Sequence, residues 1–177
     1  GRMDERYDMV RSASDGQYVY IRNYMPHKIY GQHIAYMFET PTTRVWKELY
    51  DAGKLNATQR KFWERKPFEE LYDVTKDRDE IDNLASRSPA ILARMRKALD
   101  GWLLESKDRG FLPEAELHVP ERAASFDLPR VKAMADAAAS LAPAVNPKLA
   151  AGLKDSDSAV RYWAALGDRQ STRLNSS

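Results

Sequence analysis

Apolar and polar side chains alternate along "YDMVRSASDGQYVYIRN", residues 7–23, and a period of two marks a half-buried strand. Tyr7, Met9 and Arg11 fall on one face, with Asp8 and Val10 on the other. Beyond Ser14-Asp15-Gly16, the run Tyr18, Tyr20, Arg22 alternates with Val19, Ile21, Asn23. Asp-Gly between the two runs predicts a hairpin, because glycine takes positive φ without steric cost. A hairpin alone is marginal in water, and "ELYDV", far along the chain, is expected to supply a third strand.

Elsewhere the period changes to that of a helix. "TPTTRVWKELYDAGK" offers Thr40 as cap, Pro41 at the first position and Gly53 as the stop. Val45, Trp46, Leu49 and Tyr50 share one face of it. A shorter helix around "ATQRKFWE" starts at Asn56 and ends before Pro67. "RSPAILARMRKALDGWLLESKDRG" carries the clearest stripe: Ile91, Leu92, Met95, Leu99, Trp102 and Leu103, with Ser88 as cap and Gly110 as exit. This helix is expected to lie across the sheet, with either Leu71 or Tyr72 beneath the Trp102 helix. "FLPEAELHVPERAASFDLPR" is Pro-interrupted and polar, and reads as a linker. "PRVKAMADAAASLAP" and "NPKLAAGLKDSDSAVRYWAALG" beyond it are Ala-rich helices, whose small side chains let helices approach closely.

Composition narrows the class. The chain of 177 residues is 43% hydrophobic and 31% charged, a globular balance. A formal net charge of +2 without a dense Lys/Arg block argues against nucleic acid. No apolar run approaches the ~20 residues that span a bilayer, and no signal peptide is visible. With no Cys there is no disulfide, thiolate metal site or thiol nucleophile. The abrupt opening "GRMDERYD" reads as a piece cut from something longer. "DRQSTRLNSS" at the other end is polar and lacks helical periodicity. The expected division is residues 1–122, then a helical segment 123–170, then a non-native tail 171–177.

"ELYDVTKDRDEIDNLA", residues 70–85, raises a metal question. Asp73, Thr75 and Asp77 place oxygens at alternate positions, as an EF-hand loop does. Such a loop needs Gly at its sixth position and Glu at its twelfth, where this chain has Arg78 and Leu84. Paired general acids among Glu69, Glu70, Asp73, Asp77, Asp79 and Glu80 are another reading. The spacing better suits a strand-turn-helix corner, with acids near the dipole of the following helix.

That same stretch, followed by "ALDGWLLESKD", resembles the C-terminal subdomain of sulfatases. The family carries E-L-Y-D-L-x-x-D-P-x-E-x-x-N-L-A and then a helix ending in Trp; Arg78 stands where Pro is usual. The opening "MDERYDMVRSASDGQYVYIRNYMP" is similar to the preceding strand pair. The insert "YGQHIAYMFETPTTRVWKELYDAGKLNATQRKFWERKPFEELYD" resembles bacterial members related to the N-sulphoglucosamine sulphohydrolase branch. The likeness covers residues 3–119 and implies hydrolysis of sulfate esters or sulfamates, on glycans, in a periplasmic or secreted enzyme. It further implies a formylglycine nucleophile made within C/S-x-P-x-R, assisted by calcium. None of the nine prolines has Cys or Ser two positions before it. The nucleophile and calcium are therefore expected in an upstream catalytic domain, which would be this piece's partner, and the piece alone should be inactive. No catalytic or metal residue is assigned here. His27, Lys28, Tyr30 and His33 are the candidate substrate-binding residues. The resemblance lets their loop edge the active-site mouth, and cations and aromatic rings suit sulfated sugars. His118, flanked by Pro, reads as structural or solvated.

"LAAGLKDSDSAVRYWAALG" resembles a HEAT repeat. Leu149, Leu153, Val160, Trp163 and Leu166 would be buried, Asp157 would cap the second helix, and Arg161 would stack against neighbouring acids. One repeat cannot bury its own core, so its apolar face is expected to be exposed and this end loose. The fold class expected is α+β: a small antiparallel sheet of three to four strands packed by a long helix, then a HEAT-like helical hairpin. The alternative function is a freestanding, non-catalytic module that binds glycans or a protein.

Overall fold

The computed structural model describes residues 6–140 and 147–174. The chain is α+β, with a three-stranded antiparallel sheet in the order β1 (Val10–Ser14), β2 (Tyr18–Asn23), β3 (Glu69–Asp73). The hairpin turns on Gly16 at φ 92°, and the Asp15 carboxylate accepts from the backbone amides of Gln17 and Tyr18. The first strand starts later than the alternation suggests. Residues 6–9 are not strand, although Tyr24 N–H still donates to the Met9 carbonyl at 3.0 Å.

Pairing of Tyr20 with Leu71 and of Ile21 with Glu70 sorts the strands onto two faces. Tyr20 and Leu71, both fully buried, point into the core under α4 (Pro89–Glu105). Leu71, not Tyr72, is thus the residue beneath that helix. Asn23, Glu70 and Tyr72 are buried on the opposite face, where the chain after β2 reaches Glu70 through the Tyr30 hydroxyl.

Helix α4 buries Leu92, Met95, Leu99 and Leu103. Trp102, expected in the stripe, is 58% exposed. At 3.6 residues per turn it lies about 20° beyond the buried Met95, at the margin of the stripe, and no neighbouring element among the described residues covers it. Ser88 occupies the cap position without a side-chain cap bond, and no acid lies in the first turn.

Phe111 and Leu112, read as the start of a linker, are core residues. They are followed by the short helices α5 (Glu114–Leu117) and α6 (Pro120–Ser125), then α7 (Leu128–Ala139), α8 (Pro147–Gly152) and α9 (Ser158–Leu174). Helix α9 runs into the stretch expected as a tail; residues 175–177 lie outside the described residues. A Cβ on Gly167 would come 2.8 Å from Ala138 Cα, so α7 and α9 meet almost backbone to backbone. Leu149, Val160 and Trp163 are buried as expected, while Leu153 is exposed. Asp157 accepts from Ala159 N–H at the start of α9, but Arg161 donates to the carbonyls of Asp155 and Ser156 instead of stacking on acids.

One hydrophobic cluster joins Tyr24, Leu99 and Phe111 to Val131, Val160 and Trp163. Trp163 Nε1 donates to the Phe111 carbonyl at 2.8 Å. A buried charge layer crosses the same seam. Arg22, 2% exposed, donates to Tyr20 Oη at 2.7 Å, to Asp136 at 2.5 Å and to Glu69 at 3.3 Å. Lys132 pairs with Asp100 and Asp136, and Arg96 grips Glu69 with two bonds of 2.7 Å. No helix among the described residues is long and apolar enough to cross a membrane.

Candidate functional site

The four candidate residues lie on the chain leaving β2, residues 24–33. Met25 accepts from Lys28 N–H in a turn, and the chain then runs antiparallel to residues 62–68 without forming a regular strand. Asn23 N–H donates to Phe68 O at 2.9 Å, Lys66 N–H to Pro26 O at 3.1 Å and Gly31 N–H to Phe62 O at 2.8 Å. Ile29 and Arg65 form an isolated bridge. Gly31 permits this approach, since a Cβ there would lie 2.7 Å from the Trp63 ring and 2.8 Å from Phe62. Trp63 is itself buried against Phe38, Trp46, Tyr50 and Phe62, so the clamp has a stiff base.

Beneath the loop sits a buried carboxylate. Glu70 Oε1 accepts from Asn23 Nδ2 and from Tyr30 Oη, both at 2.6 Å, while Oε2 accepts from Tyr72 Oη. Burial and these bonds to an anion raise the Tyr30 and Tyr72 hydroxyls well above the usual phenol range. Both remain donors. Beside them the Lys66 side chain, fully buried, pairs with Asp8 and lies 5.3 Å over the Tyr30 ring.

His27, Lys28 and Tyr30 gather around this Lys66–Asp8 pair. Burial first, and the Lys28 charge second, lower the His27 imidazole from 6.5 to about 4, so it is neutral at pH 7, with a buried Nδ1 that has no partner. Lys28 Nζ donates to the Tyr7 carbonyl and lies 5.4 Å over that ring; desolvation lowers its pKa. Tyr30 is 43% exposed although its hydroxyl is held from below. His33 stands apart from them: its ring stacks at 4.4 Å on Phe38 of α1 (Ala35–Glu39), and its carbonyl accepts from Arg6.

Sequence reasoning missed Asn23, Arg65, Lys66 and the role of Glu70. The period of two does put Asn23 and Glu70 on the face away from Tyr20 and Leu71. Nothing local foretells that residues 62–68 return beside the loop.

The acidic corner makes turns. Asp73 accepts from the Thr75 amide and hydroxyl and from Gln17 Nε2, and Asp77 accepts from Asp82 N–H. Helix α4 begins only at Pro89, so these acids do not cap it. Asn83 instead fastens the corner, accepting from Leu71 N–H at 3.0 Å and Ala85 N–H at 2.9 Å. Among the described residues no group of three or more His, Asp or Glu is placed to hold a metal ion. Helix α2 (Pro41–Asp51) buries none of its residues; Val45, Trp46, Leu49 and Leu55 line an open apolar groove.

Over 119 residues the chain is 40% identical to the ulvan-active sulfatase of Formosa agariphila, a match covering 66% of this chain and 20% of that protein. The chain therefore spans about a fifth of the length of the curated relative it matches. No family model matches it, and no solved structure does. The likeness supports a relation to sulfatases in general, the one that residues 70–85 imply.

Proposed function

We propose that this chain is the C-terminal part of a sulfatase that hydrolyses sulfate esters or sulfamates on a glycan, and that residues 24–33 edge its substrate pocket. The 40% identity to a sulfatase over 119 residues carries the reading. The clamped loop, with Lys28, Tyr30 and neutral His27 set on the buried Glu70 network, is the local support for the substrate role. An upstream formylglycine with calcium would supply nucleophile and Lewis acid. This chain's own residues would bind and orient the sugar: Lys28 by charge, Tyr30 by its exposed ring, His27 as a neutral hydrogen-bonding group. On this reading the fragment is inactive alone, and the enzyme is periplasmic or secreted. The helical end, which packs α8 against α9 and is capped by Asp157, is the start of a HEAT-like extension.

The test is expression of the whole coding sequence, followed by assay of sulfate release from ulvan and other sulfated glycans. Release that disappears on replacing the upstream nucleophile, and falls on Lys28→Ala or Tyr30→Ala, is expected. An upstream region without C/S-x-P-x-R, or an intact protein that releases no sulfate from any of them, overturns the proposal.

A further inference from the structure

Arg65 faces Ile29 across the bridge that fixes the loop, so its side chain rises from a pinned backbone. It is exposed, and among the described residues its guanidinium has no hydrogen-bond or ion-pair partner. Around His27 the charges are Lys28, Lys66 and Arg65 against Asp8. Lys66 already matches Asp8, and its side chain is closed to solvent. Among the described residues Lys28, which donates to the Tyr7 carbonyl, and Arg65 are therefore left as two cations without an ion-pair partner beside a neutral imidazole. Two uncompensated cations on a rigid edge form a site for an anion.

The sulfate that is cleaved has to sit about 3–3.5 Å from the nucleophile, whereas the proposed function sets residues 24–33, and with them Arg65 across the bridge, at the edge of the pocket. Resting on the sulfatase reading above, we infer that Arg65, with Lys28, binds a second anionic substituent of the sugar, a carboxylate or a sulfate that is not cleaved. The substrate then carries at least two anionic groups. The charge Arg65 meets does not change during the reaction, so its binding energy is spent equally on substrate and transition state. Arg65 is a specificity residue.

Two experiments test this. In the intact enzyme, Arg65→Ala raises KM roughly tenfold, or 1.4 kcal/mol, for a sugar bearing two anionic groups, and leaves kcat unchanged. For a singly sulfated neutral sugar it changes neither, and Arg65→Lys recovers most of the loss. A fall in kcat, or an equal loss on both substrates, overturns the inference while leaving the sulfatase reading intact. A wild-type protein that hydrolyses neither substrate overturns that reading instead. In the 177-residue chain, NMR titration of His27 is read with glucuronate, glucose 6-sulfate or glucose. An anion held beside the imidazole raises its pKa above about 4. The larger shift identifies carboxylate or sulfate as the preferred group. No shift with either anion, a shift equal to that with glucose, or a shift that survives Arg65→Ala refutes the site. The melting temperature stays unchanged in Arg65→Ala, because the side chain is exposed and unpaired.

Discussion

Replacing Arg22 by Met removes the guanidinium that joins β2 to α7 across 114 residues of chain. Three charge-assisted bonds disappear, but their acceptors are not stranded. Glu69 keeps both bonds from Arg96, and Asp136 keeps Lys132 at 2.8 Å. A buried pair whose partner is left alone costs about 3–5 kcal/mol. Retained cations, and the partial exposure of Asp136, reduce the expected loss to about 2–3 kcal/mol. Asp136→Asn should cost about 1 kcal/mol, since Lys132 turns to Asp100 at 2.7 Å. The double variant is then less destabilised than the sum of the two, by about 1–2 kcal/mol. Urea unfolding of the four proteins, followed by circular dichroism and by tryptophan fluorescence, measures this coupling. Wild type should unfold in one transition by both probes, because Trp163 and the sheet share a core. Additivity within about 0.5 kcal/mol refutes the Arg22–Asp136 link. Two separated transitions refute the shared core.

Three further outcomes follow from the same structure. Trp163→Ala should cost about 3–5 kcal/mol, because the ring is fully buried and bonded to Phe111, whereas Trp102→Ala should stay within about 0.5 kcal/mol; thermal melts of the pair decide it. Gly31→Ala should destabilise by about 1–3 kcal/mol, as its methyl meets the Trp63 and Phe62 rings, and should shift the loop amides in a two-dimensional NMR spectrum. At Glu69, burial raises the pKa, but the bonds from Arg96 and Tyr20 and the Arg22 charge outweigh it and hold the carboxyl below the ordinary range. Its stabilisation is thus complete above about 4.3, the unfolded value, and is lost as pH falls through the lower folded value. Glu69→Gln should flatten that acid limb of the stability curve, read as urea midpoint against pH.

Several features were legible locally. The Asp15-Gly16 turn, the strand read from "ELYDV" and found at 69–73, the Asn56 cap and the stripe on α4 each depend on residues within one turn or one strand. Trp102 shows the limit of such reading, because an apolar residue on a stripe's shoulder is buried only if a neighbour reaches it. Phe111 and Leu112 show the converse: a Pro-rich, polar surrounding hid two core residues whose partners arrive about 50 residues later, as in the Trp163–Phe111 bond. For the candidate site, charge and ring type singled out His27, Lys28 and Tyr30, and their loop could be placed after β2. Arg65, Lys66 and Glu70 entered only when residues 62–70 came alongside.

By itself, then, the sequence determined the periods, the turn, the likeness of the 70–85 corner to sulfatases and the lack of a C/S-x-P-x-R motif in these 177 residues, all properties of neighbouring residues. The tertiary structure decided which acid became a buried acceptor, which lysine was closed off with Asp8 and which arginine was left facing solvent. Charge pairing is settled by distance in space. The segments that compete for each ion here are tens of residues apart along the chain, from Asp8 and Lys66 to Arg22 and Asp136.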